Sequence, residues 1–215
     1  IFNMINQDKK IELFLTGCGS SGTKYISVLL NKNGFDVGHD FYPIGKMGFV
    51  SNQIVNDEVW VYYRGQYPKN EKISLSKFSN IIHIVRHPLS VIASVMKKWQ
   101  RRGAIWPHVK EGPLASEKDK SISILNAMKY WLYQNQHVMK YTNKIVKFED
   151  VLEDSNALGK YLNTSNMEGI DKKKKINASN TNIKIDWDKL FKEDKHITNE
   201  IIKLCNTYGY ETPTD

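Results

Sequence analysis

The segment Gly17-Cys18-Gly19-Ser20-Ser21-Gly22-Thr23-Lys24 places three glycines among hydroxyls and ends on a cation. Such a loop can turn sharply and aim successive backbone N–H groups at one point. A helix starting there adds partial positive charge. The chemistry is that of holding a phosphate-like anion, and the competing reading is an ordinary Gly-rich turn. Gly17 and Gly22 have the spacing of the loop G-x-x-x-x-G-K-[ST], whose Lys meets phosphates and whose hydroxyl meets Mg²⁺. Here the final pair is reversed, Thr23-Lys24. A second apolar run, 81–85, leads into Arg86, where a magnesium-dependent phosphatase of nucleotides would carry an Asp. A guanidinium fork suits phosphate oxygens, so a cation stands where a metal ligand would be, and no metal is expected. A third segment, Gly38-His39-Asp40, offers an imidazole and a carboxylate. Either is a candidate base, and either could merely cap a turn.

These segments need elements to position them. Residues 11–16 read as a buried strand and 23–33 as a helix closed by Asn33-Gly34, with Ile26, Leu29 and Leu30 on one face. Residues 35–37 read as a short strand, 40–48 as a loop, and 58–63 as strand or helix. Residues 80–85 form a buried strand, and Pro88 opens a helix at the favoured first position. Then follow a loop over 103–120, a long helix over 121–141, a strand over 144–148 and a helix over 149–162. A polar stretch over 167–181 and a closing helix over 196–208 complete the chain. Strand–helix alternation predicts an α/β fold, with a mostly parallel central sheet flanked by helices. The whole chain, 1–215, is read as a single domain. In such sheets ligands bind beyond the carboxyl ends of the strands, where all three segments fall.

The 215 residues suit one full core. With 40% hydrophobic and 25% charged residues the composition is that of a globular domain. No run is apolar enough for a membrane span, and residues 1–10 are too polar for a signal peptide. The net charge of +8 favours a polyanionic partner without saying which. Nucleic acid is not expected, because no recognisable binding module interleaves basic and aromatic residues. The lysine run 172–175 reads as an exposed loop. Cys18 and Cys205 are too few for a disulfide framework, so a reduced, cytoplasmic setting is expected. Cys18 is either a reactive thiol or a small residue suited to a tight turn.

Taken together, Ser20-Ser21-Gly22-Thr23-Lys24-Tyr25 resembles the 5′-phosphosulfate loop of the sulfotransferases. Ile82-His83-Ile84-Val85-Arg86-His87-Pro88, with Ser94 eight residues after the Arg, resembles that family's 3′-phosphate motif. Lys147-Phe148-Glu149-Asp150-Val151-Leu152 and Tyr208-Gly209-Tyr210 are weaker echoes, and short strings such as Gly38-His39-Asp40 look nearer to the bacterial-type branch. Two features depart from the pattern. Ser20 replaces the basic residue that precedes Ser-Gly-Thr, and the C-terminal R-K-G-x-x-G segment is missing unless 177–187 substitutes for it.

The resemblance implies a P-loop-like fold and an enzyme that uses 3′-phosphoadenylyl sulfate (PAPS) as donor. It would leave 3′,5′-adenosine diphosphate (PAP) as product and need no metal. Gly19, Ser20, Ser21, Gly22, Thr23 and Lys24 would hold the 5′-phosphosulfate, and Arg86 and Ser94 the 3′-phosphate. Tyr25 and Phe148 are expected to line the adenine, against the alternative that both are core aromatics. Asp40 is the favoured base for the acceptor hydroxyl, with His39 the alternative. Lys24 is the candidate substitute for the missing loop cation. A P-loop small-molecule kinase and a catalytically inactive 3′-phosphoadenosine-nucleotide-binding protein are the competing functions. The acceptor and the oligomeric state are not readable.

Overall fold

β1 (Ile11–Thr16) runs through the middle of a five-stranded, all-parallel sheet. The structure is a computed structural model that describes residues 11–42, 45–63, 70–170 and 183–213. β2 (Val37–His39), β4 (Gly48–Ser51), β8 (Phe78–Val85) and β9 (Ile145–Lys147) complete the sheet in the order β2-β4-β1-β8-β9. The chain leaves β1 through helix α1 (Thr23–Lys32) for one side of the sheet and later crosses to the other. In such sheets the carboxyl end of the strand at which the chain changes side is the usual place for a ligand. The architecture is α/β, as expected, and consistent with a P-loop-like fold.

Both faces of the sheet are covered, which is why its strands are nearly continuous apolar runs. Alternation along β1 sends Leu13 and Leu15 to one face and Phe14 to the other. On the first face they meet Ile26, Leu29 and Leu30 of α1, the three residues whose spacing marked its apolar side. On the opposite face α2 (Pro88–Arg102), α4 (Ile124–Met139) and α8 (Lys195–Thr207) pack through Val91, Val95, Trp99, Trp131 and Ile201. Phe14 instead stacks on Phe49 and Phe78, beneath a small second sheet. That sheet joins β3 (Phe41–Tyr42), β6 (Glu58–Tyr63) and β5 (Ile54–Val55), with β7 (Asn70–Ser74) antiparallel to β6.

Several elements differ from the sequence reading. The loop placed over 40–48 contains β3 and the start of β4. β4 escaped notice because it begins on a glycine. The backbone of Leu13 lies so close that a Cβ on Gly48 would sit 2.2 Å from the Leu13 carbonyl oxygen. Strand β2 lies two residues later than 35–37. The loop over 103–120 holds the short helix α3 (Pro107–Glu111), opened by its proline. The strand over 144–148 ends at Lys147, and Phe148 begins α5 (Phe148–Glu153) instead of closing the strand.

The helix read over 149–162 is broken. Asp154 is extended, at φ −138° and ψ 113°, and separates α5 from α6 (Asn156–Gly159). Its carboxylate accepts a hydrogen bond from the Asn156 N–H at 2.9 Å, a local alternative that outcompetes helix continuation. The same device works between α7 (Trp187–Glu193) and α8, where Asp194 caps Ile197 N–H at 2.9 Å. The 172–175 run lies outside the described residues, as do residues 177–182 of the stretch weighed as a substitute C-terminal segment. Among its described residues, Ile183, Ile185 and Trp187 pack on the core under α2 and α4. No helix among the described residues is long and apolar enough to cross a membrane.

Candidate functional site

The carboxyl ends of β1, β2, β4 and β8 lie side by side. Thr16 is in register with Ser51 and His83, and His39 with Val50. The three segments singled out in the sequence therefore leave the same edge of the sheet. The loop after β1 folds tightly: Ser21 N–H donates to the Cys18 carbonyl at 2.9 Å, and Gly19 N–H to the Tyr130 hydroxyl of α4 at 2.7 Å. Ser20 and Gly22 both have positive φ, 76° and 90°. No side chain caps α1, whose first turn begins at Thr23. Ser21 is fully buried, and its hydroxyl has no hydrogen-bond partner among the described residues. An uncapped helix start beside an unpartnered buried hydroxyl is suited to an anion that supplies the missing acceptor.

Three polar groups from β8 and α2 converge on Ser20. Arg86 Nη1 donates to the Ser20 carbonyl oxygen at 3.0 Å, Ser94 Oγ donates to Ser20 Oγ at 3.2 Å, and Lys98 Nζ donates to Ser20 Oγ at 2.9 Å. Ser94 and Lys98 are four residues apart, so one face of α2 carries both. The sequence reading paired Arg86 with Ser94 and missed Lys98. The signal was the helical spacing itself, which extends the Arg86–Ser94 motif by one further turn.

Arg86 is held from its other side as well. Its guanidinium carbon lies 5.4 Å from the centre of the Phe148 ring, and burial lowers its pKa against the opposing influence of the Glu149 carboxylate. A guanidinium remains charged under such a shift. Glu149 Oε1 accepts from the His87 N–H at 3.2 Å and Glu149 Oε2 from the Tyr210 hydroxyl at 2.8 Å. The two weak echoes, 147–152 and 208–210, thus meet at the strand end that carries Arg86. One carboxylate ties the start of α2 to the C-terminal segment.

Phe148 is only 7% exposed and covers the loop: a Cβ on Gly22 would lie 2.2 Å from its ring. Tyr25 meets Phe148 edge-on at 5.6 Å between centroids and is half-buried. Of the two aromatic candidates, Phe148 is packed as core and Tyr25 keeps an accessible side. Lys24 is exposed on the first turn of α1, and its charge contributes to lowering the pKa of His39.

Asp40 follows β2 with φ 55° and joins a short polar chain. Ser51 Oγ donates to Asp40 Oδ1 at 2.8 Å, Asp40 Oδ2 lies 3.4 Å from His39 Nδ1, and His39 Nε2 lies 3.4 Å from Thr23 Oγ1. Burial depresses the His39 pKa, opposed by the Asp40 charge. The ring is therefore neutral near pH 7 and can accept a proton. Both Asp40 oxygens are engaged, whereas His39 Nε2 faces the loop.

Trp106, Trp99 and Tyr130 form an aromatic cluster behind Gly19, and a Cβ there would meet Trp106 at 2.5 Å. Cys18 is wholly buried in the adjoining core, and burial pushes its thiol pKa up, so it serves as a small packed residue. Among the described residues no group of three or more His, Cys, Asp or Glu side chains is placed to hold a metal ion. Set against known proteins, the chain matches no family model and no curated sequence.

Proposed function

We propose that this chain is a metal-independent sulfotransferase that moves a sulfuryl group from PAPS to an acceptor hydroxyl. The observation that carries the reading is the convergence of Arg86, Ser94 and Lys98 on Ser20 of the β1–α1 loop. A donor with a 5′-phosphosulfate and a 3′-phosphate needs two anion sites some distance apart. Here a half-buried guanidinium and an α2 hydroxyl adjoin an uncapped helix start that carries the Ser21 hydroxyl, unpartnered among the described residues.

In this reading the 5′-phosphosulfate is received by the Gly22 and Thr23 N–H groups and the Ser21 and Thr23 hydroxyls, with Gly19 N–H held by Tyr130 so that the loop keeps its shape, and Arg86 and Ser94 receive the 3′-phosphate. Tyr25 offers its open side to the adenine. His39 Nε2 takes the acceptor proton, and Asp40 holds Nδ1 and stabilises the imidazolium, a division of labour familiar from acid–base triads. Lys24 adds positive charge on the acceptor side, next to His39. Sulfuryl transfer, like phosphoryl transfer, depends mainly on positioning and on stabilising leaving-group charge.

Titration calorimetry with PAP and with 5′-AMP tests the nucleotide half of the reading. PAP is expected to bind at least about tenfold tighter, since a charge-assisted phosphate contact contributes roughly 1.5–3 kcal/mol. The advantage should shrink in Arg86→Ala and survive chelator. Equal affinity for both nucleotides, or binding that vanishes with chelator, would overturn the reading, the second result in favour of a kinase. Sulfated products from an acceptor screen then separate an enzyme from an inactive nucleotide-binding protein.

A further inference from the structure

We infer that Lys98 of α2 supplies the cation that the loop itself lacks, and that it contacts the 5′-phosphate end of the donor and stabilises the departing phosphate. The inference rests on the nucleotide reading above and adds a catalytic residue to it. Ser20 occupies the loop position where a long basic side chain would otherwise reach the phosphosulfate. With φ at 76°, its side chain turns toward α2. There its hydroxyl oxygen accepts from both Ser94 Oγ and Lys98 Nζ.

A serine oxygen has two acceptor sites and one proton. The Lys98 ammonium can only donate, so the Ser20 O–H is directed elsewhere, and an anion in the loop is an acceptor it would meet. Among the described residues, Lys98 Nζ uses one of its three N–H donors on Ser20 and keeps two. The ammonium is half-buried, lies 6.0 Å from the centre of the Trp106 ring, and is opposed by the charges of Arg86 and Arg101 and favoured by that of Asp40. Burial and the neighbouring guanidiniums destabilise the charged ammonium. An incoming phosphosulfate would relieve that penalty, so the site is electrostatically prepared for an anion. Lys24, by contrast, is exposed, and its charge acts on His39.

The acceptor oxygen attacks sulfur and forms a new O–S bond, and its proton passes to His39 Nε2. The bond between sulfur and the bridging oxygen breaks, with its electron pair staying on the 5′-phosphate oxygen. Lys98, together with the Ser20 hydroxyl and the loop N–H groups, donates to the phosphate as that charge grows. PAP leaves with the full 5′-phosphate charge.

The test compares wild type, Lys98→Met, Lys98→Gln and the exchange variant Ser20→Lys/Lys98→Ser. Two readouts are used: affinity for PAP and for adenosine 3′-monophosphate, and release of inorganic sulfate from PAPS with water as acceptor. Thermal melting checks that each variant is folded. Lys98→Met should bind PAP about 10–100-fold more weakly, change little toward adenosine 3′-monophosphate, and release sulfate more slowly. The exchange variant should recover most of both losses. A Lys98→Met that keeps wild-type PAP affinity and sulfate release overturns the role of Lys98 and leaves the nucleotide reading standing. So does equal weakening toward both nucleotides, or an exchange variant no better than Lys98→Met. Wild type that binds no PAP overturns both proposals together.

Discussion

His39 and Asp40, adjacent in sequence, face each other across the end of β2, with Nδ1 of the ring 3.4 Å from Oδ2 of the carboxylate. The contact requires Asp40 to adopt φ 55°, a conformation that Asp tolerates better than most residues, and Ser51 of β4 holds its other oxygen. The ring thereby presents Nε2 to the loop.

If this pair works as proposed, His39→Ala lowers turnover by roughly 10²–10⁴-fold with PAP affinity nearly unchanged, and Asp40→Asn lowers it by less. The pH profile separates their roles. Activity needs the neutral ring, and burial holds its pKa below the ordinary 6.5. Turnover should therefore persist below pH 6.5 and fall only as pH drops through the lowered pKa. Because the Asp40 charge raises that pKa, Asp40→Asn should move the acid limb further down. A collapse in Asp40→Asn with near-normal His39→Ala would give the base role to the carboxylate.

Phe148 and Tyr25 should part company on substitution. Phe148 is buried against Gly22 and lies under Arg86. Phe148→Ala should cost about 3–5 kcal/mol of stability in chemical denaturation and weaken the hold on Arg86. Tyr25→Ala should cost less stability but reduce affinity for adenine nucleotides relative to the bare phosphates. Unchanged PAP binding in Tyr25→Ala would remove Tyr25 from the adenine site.

Acid should destabilise the fold from within. His83 is fully buried beneath Tyr208, bonded to Asn135 at 2.9 Å, and burial lowers its pKa to about 4. His108 is lowered to about 3 for the same reason. The unfolded chain takes up these protons below about 6.5 while the folded chain does not. Stability is thus fully present above that pH and is lost as pH falls toward 4. Each histidine contributes a slope of up to about 1.4 kcal/mol per pH unit in that window. Denaturation curves at pH 7.5, 6, 5 and 4.5 should show this decline, and His83→Gln should flatten it.

The order of strands and helices was legible because apolar periodicity and end signals are local. The 11–16 strand, the α1 face of Ile26, Leu29 and Leu30, and the Pro88 start of α2 stand where their residues place them. The loop, Arg86 and the His39–Asp40 pair were proposed from residue type and spacing and Ser94 from the resemblance, and the structure brings these residues to one edge of the sheet. Local rules failed where a distant contact decided. β4 exists because Gly48 can approach Leu13, whereas the break after α5 is local, the Asp154 carboxylate accepting from the Asn156 N–H two residues on. Phe148 belongs to the core because Gly22, far away in sequence, has no side chain there. Lys98 is one basic residue among several on α2 and was not singled out in the sequence. Only the packing of that helix across the β1–α1 loop brings its ammonium to Ser20, since the distance between residues 20 and 98 is set by the parallel pairing of β1 with β8.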